Sequence, residues 1–175
     1  PEELLIRHLG KAGEMLRRYA NGLDSEPVKS IYDTDEVKSV GNSITFGEDL
    51  VGEEAVKRGV YEICDKVAAR MRKQHVKCTT VQIQIKDPMF RVKSRQKKIP
   101  HPTYLAHDMR EAAMELIRDS WNFKLPIRML SVTGCNLIAE DTAEQISFFD
   151  EMGEKREKTE KLEKTVDLLR EKFGN

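Results

Sequence analysis

Residues 91–98, Arg91-Val92-Lys93-Ser94-Arg95-Gln96-Lys97-Lys98, concentrate cations at alternate positions. In an extended segment Arg91, Lys93, Arg95 and Lys97 project to one side, about 6.8 Å apart. Ser94 and Gln96 place a hydroxyl and an amide between the charges. A rail of this kind matches a phosphodiester backbone, whose charge Lys and Arg neutralise and whose oxygens accept from small polar groups. Lys38, Ser39, Asn42, Ser43 and Thr45, and further along Arg128 and Thr133, are candidates to add donors beside it. The alternative for the rail is a solvated edge strand protected by charge against association. For each small residue the alternative is an ordinary polar strand position. Val92, Ser94 and Gln96 make a poor core face, so a bulge that resets the register is a further possibility.

A second unusual segment is Gln145-Ile146-Ser147-Phe148-Phe149, an apolar pentapeptide between polar stretches. Adjacent phenylalanines point to opposite sides of a strand. In a linker they suit a short peptide that seats its aromatics in another protein's pocket. The alternative is a small edge element folded back on its own domain. No catalytic constellation emerges. His8, His75, His101 and His107 are scattered without ligand spacing. Asp108 and Glu111 read as acids complementing the start of a helix, and Asp33, Asp35 and Glu36 as a solvated loop. There is no Walker loop and no GxGxxG. We therefore expect no catalytic residue and no metal or cofactor site.

With 175 residues, 39% hydrophobic and 34% charged, the chain has material for one or two small domains with long solvated helix faces. Thirty basic and thirty acidic residues cancel, so affinity for nucleic acid must come from a local patch. Cys64, Cys78 and Cys135 lie far apart and form no CxxC, which reads as reduced thiols in an intracellular protein. No stretch approaches the roughly 18 apolar residues of a membrane span, and Pro1-Glu2-Glu3 opens no signal peptide. No membrane partner is expected.

Elements that would position the candidates follow from periodicity. Leu4, Leu5, Leu9, Ala12, Leu16 and Ala20 predict helix over 3–21, with Gly10 and Gly13 allowing two short helices. Val40, Ile44 and Phe46 alternate with small polar residues in a first strand. A helix over 53–74 carries Val56, Val60, Ile63, Cys64, Val67 and Met71 on one stripe. Val81, Ile83 and Ile85 alternate in a second strand. A third covers 91–99 and ends at Pro100-His101-Pro102. A second helix covers 104–121, and a fourth strand 127–138. The fold class is α+β: a four-stranded, mainly antiparallel sheet with two helices on one face, in the order β-α-β-β-α-β. A short helical segment precedes it and a charged helical tail follows. The sheet's other face is wet, lined by Ser, Thr, Gln, Lys and Arg. In the tail, Leu162, Val166, Leu169 and Phe173 mark a narrow apolar stripe through which it could dock or self-associate. Glu157–Lys161 and Glu160–Lys164 support the helix.

The string of elements resembles the C-terminal part of the Y-family, DinB/UmuC-type translesion DNA polymerases. His8-Leu9-Gly10-Lys11-Ala12-Gly13, Ala20-Asn21-Gly22-Leu23-Asp24 and Pro27-Val28 look like the end of the family's thumb. Lys38-Ser39-Val40-Gly41-Asn42-Ser43-Ile44-Thr45-Phe46 looks like the first strand of its DNA-binding little finger. Gln145–Phe149 is similar to the bacterial sliding-clamp motif, with Ile146 and Phe148 where Leu is usual. The resemblance implies a thumb remnant (1–24), a linker (25–37), a little finger (38–141), a clamp-binding peptide (142–150) and a charged helical tail (151–175). It implies a grip on template–primer DNA through the open sheet face, with Lys11 joining the candidates above, and a sliding clamp as second partner. It also implies a bacterial, cytoplasmic, nucleoid-associated DNA-repair protein. The family's acidic, magnesium-binding palm has no counterpart here, so the chain reads as a fragment that cannot itself add nucleotides. The competing classes are a protein-interaction module working through the tail helix and a ferredoxin-like RNA-binding domain. Against the latter, the wet face lacks an aromatic stacking pair.

Overall fold

Alternation of Val81, Ile83 and Ile85 with Gln82, Gln84 and Lys86 builds one of the two inner strands of a four-stranded sheet in the computed structural model, which describes residues 2–28, 30, 36–142 and 153–174. The chain divides into two compact units, Pro1–Glu36 and Val37–Asn175. The first is a pair of helices, α1 (Glu2–Leu9) and α2 (Lys11–Ala20). They are separated by Gly10 at φ +55, a left-handed conformation that glycine adopts without a Cβ penalty. A Cβ on Gly13 would meet the Leu5 carbonyl oxygen at 2.2 Å, so the helix pair closes on a glycine.

The second unit runs β1 (Ser39–Leu50), α3 (Glu53–Lys73), β2 (Val76–Lys86), β3 (Val92–Thr103), α4 (Ala106–Ser120), β4 (Ile127–Ala139) and α5 (Gly153–Phe173). Strands are ordered β1-β4-β2-β3, and every pairing is antiparallel. The fold is therefore the α+β sheet with helices α3 and α4 on one face that the periodicity predicts. Val56, Val60, Ile63, Val67 and Met71 of α3 and Met109, Ala113 and Ile117 of α4 bury against Val81, Ile83, Ile85, Leu130 and Val132. Gly134 of β4 lies in this layer: a Cβ there would meet Met71 Sδ and Cys78 Cβ at 2.9 Å. Cys64 and Cys78 are buried here, and burial pushes each thiol up to about 12.

Two details depart from the expected elements. β3 continues through Pro100 and Pro102 rather than ending there. It is an edge strand, where the missing N–H of proline costs no ladder hydrogen bond, and its register with β2 shifts between Cys78 and Thr80. The second departure is how the tail helix docks. Leu162, Leu169 and Phe173 of its apolar stripe are exposed. α5 instead meets the domain through a polar face. Arg72 of α3, only 8% exposed, pairs with Glu163 and, through Nε at 2.5 Å, with Asp167. Glu163 also accepts the Ala106 N–H at 3.1 Å, capping α4, whose N-cap residue Leu105 has no side-chain acceptor. The Tyr104 hydroxyl shares its one proton between Glu140 at 2.9 Å and Glu160 at 2.5 Å, and Lys164 bridges the same two carboxylates at 2.9 and 2.8 Å. The expected Glu157–Lys161 pair forms at 2.6 Å.

The Lys164 ammonium, then His75, hold the Glu140 carboxyl down at about 2, against a usual 4.5. A carboxyl whose pKa is lower when docked stabilises docking above its usual pKa and loses that contribution as pH falls through the docked value. Amide-exchange protection of α5 should therefore decline between about pH 4.5 and pH 2. Glu140→Gln should reduce this acid dependence and weaken protection at neutral pH, leaving the share of Glu160, whose carboxyl burial pushes up but Lys164 and Tyr104 pull below its usual pKa.

Candidate nucleic-acid interface

Directly paired residues of antiparallel strands share a face, so the register assigns every strand side chain to the helix layer or to the open side. Four rows cross the open side in the order β1, β4, β2, β3. They are Ser39–Cys135–Thr80–Lys98, Gly41–Thr133–Gln82–Gln96, Ser43–Ser131–Gln84–Ser94 and Thr45–Met129–Lys86–Val92. This grid holds hydroxyls, amides, one thiol and two lysines, and no carboxylate. No aromatic side chain stands among its sixteen positions.

The grid is tied together by its own groups. Gln82 donates through Nε2 to Ser94 Oγ at 3.0 Å, and Ser94 Oγ donates to the Ile83 carbonyl at 3.1 Å. Asn136 of β4, at φ +52, donates to Thr80 Oγ1 at 2.9 Å, and Thr79 Oγ1 returns a bond to the Asn136 carbonyl. The Cys135 thiol faces Gln82 Oε1 at 3.6 Å, and partial burial raises its pKa. At Gly41 a Cβ would lie 2.5 Å from Thr133 Oγ1 and 3.1 Å from its Cβ. Glycine thus lets Thr133 sit against the β1 backbone, and Arg70 of α3 holds the Gly41 carbonyl at 2.8 Å.

Of the sequence candidates, Ser39, Ser43, Thr45, Ser94 and Thr133 come together on this face. The others do not. Lys93, Arg95 and Lys97 pair with Ile85, Ile83 and Val81 and so lie on the helix side of the sheet, which corrects the expectation of a rail on the wet face. The reason is the edge position of β3. At the rim of the helix layer a lysine lays its apolar stem along the core and carries its charge outward. Lys97 reaches Glu115 of α4 at 2.5 Å, and Lys93 reaches the carbonyl of Ser120, the last residue of α4, where a cation complements the helix end. Arg95 is exposed and turns to the Ser94 carbonyl at 2.8 Å. Arg91 precedes β3 and is held by Asp87, Nε to Oδ2 at 2.7 Å. Asn42 shares the core parity of Val40 and Ile44. Arg128 is engaged by the Gly47 carbonyl at 3.4 Å and Asp49 at 3.5 Å. Lys38 is exposed just before β1, and Lys11 opens α2 of the other unit. Gln145, Ile146, Ser147, Phe148 and Phe149 lie outside the described residues. Gln82, Gln84, Lys86 and Ser131, not among the sequence candidates, also stand on the open face, with Gln96 and Lys98 of the 91–98 segment. The alternation of Gln82, Gln84 and Lys86 with Val81, Ile83 and Ile85 already carried the signal for the first three.

Residues 37–148 match the model of the impB/mucB/samB family C-terminal domain. The chain belongs to this family. Among the impB/mucB/samB relatives, a DNA polymerase IV from Acetivibrio thermocellus is 38% identical over 172 residues, covering 98% of this chain and 43% of that protein. One from Clostridium kluyveri is 36% identical over 176 residues, with 98% and 44% covered. One from Moorella thermoacetica is 32% identical over 174 residues, with 99% and 42% covered. The chain thus spans less than half the length of these curated relatives and corresponds to the C-terminal region of the Y-family, DinB/UmuC type.

The close approach of Thr133 gives this impB/mucB/samB sheet a testable register. Gly41→Ala should destabilise the unit by about 1–3 kcal/mol in urea unfolding. Thr133→Ala, which deletes the nearest atoms, should offset part of that loss when combined with it. Additive effects of the two changes would contradict the register.

Proposed function

We propose that this region grips DNA by its phosphodiester backbone on the open sheet face, as the DNA-holding part of a Y-family translesion polymerase. The observation that carries the reading is the charge partition. In a chain with thirty acidic residues, none stands among the sixteen paired positions of this face, which offer hydroxyls, amides and Lys86 and Lys98. Small side chains let a phosphate come close to the strands, and contacts of this type position a duplex without reading its sequence. That suits an enzyme that must tolerate distorted bases. Arg95 and Lys38 extend the positive potential at the two edges of the sheet. Lys93 and Lys97, turned to α4, are secondary in this reading.

Lys86→Glu with Lys98→Glu should abolish measurable binding to duplex DNA in fluorescence anisotropy, whereas Lys93→Ala with Lys97→Ala should weaken it only a few-fold. The loss should be alike across DNA sequences. The slope of log K against log salt should be shallower for the Lys86 and Lys98 charge-neutral variants by about 0.9 for each phosphate contact removed. Equal losses in the two pairs would overturn the assignment to the open face.

The segment Gln145-Ile146-Ser147-Phe148-Phe149 serves, in the same reading, as the peptide that docks to a sliding clamp. Gln145 hydrogen-bonds at a pocket mouth while Ile146, Phe148 and Phe149 supply about 1.5–3 kcal/mol each before ordering costs. Binding would be weak alone and raised by effective concentration once both partners sit on one DNA. Phe148→Ala with Phe149→Ala should abolish retention on a purified clamp and leave DNA affinity unchanged. Retained clamp binding would remove this part of the proposal. A bacterial cytoplasmic, nucleoid-associated location accords with both roles. Magnesium use would belong to the catalytic part of such polymerases. Among the described residues no group of three His, Cys, Asp or Glu side chains is placed to hold a metal ion, and no metal-dependent step is assigned to them.

A further inference from the structure

The hairpin that joins β2 to β3 is built more rigidly than its length requires. Asp87 is buried at its base and accepts the Arg91 backbone N–H at 2.9 Å and the Arg91 Nε at 2.7 Å. The backbone closes on itself through Asp87 N–H to the Arg91 carbonyl at 3.1 Å and Phe90 N–H to the Asp87 carbonyl at 2.9 Å. Burial acts against the Asp87 charge, yet the Arg91 backbone and guanidinium outweigh it and hold the carboxyl below its usual pKa. Pro88 fixes one further dihedral.

On this frame Phe90 adopts φ +62. For a bulky side chain that region is sterically disfavoured, and Gly or Asn would occupy it more readily. The fold gains little in return, because Phe90 is 74% exposed, as is the neighbouring Met89. A strained backbone holding an unburied aromatic is the kind of outlier that points from structure to function. The tip also continues the open face. Val92, exposed, ends the row Thr45–Met129–Lys86–Val92, so apolar side chains meet the polar grid at this end of the sheet. Lys86 and Arg91 flank the tip, and its one carboxylate, Asp87, is turned inward and bound to Arg91.

We infer that Phe90 is a stacking platform for an unpaired nucleobase of DNA held on the open face, an inference that rests on the backbone-gripping reading above. Size favours a base over a protein partner. One ring with Met89 and Val92 beside it matches the area of a single base, whereas a stable protein interface needs about 800 Å² from each partner. A fixed ring costs little conformational entropy on stacking, and stacking on an aromatic is indifferent to base identity. Arg91, whose guanidinium is largely exposed, is the cation nearest in sequence for the adjoining phosphate.

The test uses the 175-residue chain and three fluorescent probes: a blunt duplex, the same duplex with a single-stranded extension, and that extension with abasic residues in place of its bases. The parent chain should bind the base-bearing extension about 5- to 100-fold more tightly than the abasic one. Phe90→Asn, which suits the positive φ, should erase that preference without changing blunt-duplex affinity or lowering the urea midpoint. Phe90→Tyr should keep the preference. Phe90→Trp should keep it too, with tryptophan fluorescence quenched by the base-bearing extension alone. No preference in the parent chain, or an unchanged preference in Phe90→Asn, would overturn the inference while leaving the grip standing. So would Phe90-dependent self-association in sedimentation without DNA, since that would assign the tip to protein contact. Failure of the parent chain to bind the blunt duplex would instead overturn the grip.

Discussion

The pairing of β2 with β3 and β4 is the constraint on which the rest of this domain depends. Val81, Ile83 and Ile85 must be buried, and their burial fixes which side of the sheet α3 and α4 cover. Once that side is chosen, antiparallel registry leaves no freedom on the other. Lys93, Arg95 and Lys97 go to the helix side because they lie opposite apolar residues, and Ser94, Gln96 and Lys98 go to the open side. The character of the open face at β3 is thus a consequence of core packing on the neighbouring strand.

This explains what was legible in the sequence and what was not. Each strand and helix shows in its own periodicity, since alternation and the 3.6-residue stripe are local signals, and the β-α-β-β-α-β order follows from them. The face to which a parity belongs is not local. In β2 the apolar parity names the core. In β3 both parities are polar, so the strand's own residues say only that Lys93, Arg95 and Lys97 share a side. Pairing with Val81, Ile83 and Ile85 decides which side it is. Asn42 was legible by the same logic, because it falls between Val40 and Ile44 in the core parity. Grouping it by its amide chemistry overrode that pattern. Pro100 and Pro102 misled for a related reason, because whether a proline ends a strand depends on whether its N–H side has a neighbour.

The tail shows a similar competition between a local pattern and a tertiary one. Leu162, Val166, Leu169 and Phe173 make an apolar stripe, yet the helix turns Glu160, Glu163, Lys164 and Asp167 toward the domain. Arg72 accounts for the choice. A guanidinium nine-tenths covered at the end of α3 would be costly without anions, and α4 begins at Ala106 with a donor that its own N-cap leaves unmet. Glu163 serves both needs at once. Two deficits of the sheet unit, each invisible to helical periodicity, outweigh the burial of a narrow leucine stripe.

Charge partition follows from these same placements. On the helix faces and the tail, Glu163, Asp65, Glu53 and Glu160 pair with Arg72, Arg110, Arg118 and Lys164. Asp49 and Asp87 near the strand ends are occupied by Arg128 and Arg91. Zero net charge therefore does not imply a neutral surface. Acids paired on the helix side contribute little field on the far side of the sheet, where short range and salt screening favour the nearest charges. Lys86 and Lys98 then act on whatever lies against the grid with little local opposition. The aromatic tip at Phe90 stands at the end of that same surface, where positive charge gives way to apolar side chains. Such an order of chemistry fits a ligand that is itself anionic along its backbone and flat and apolar at its bases.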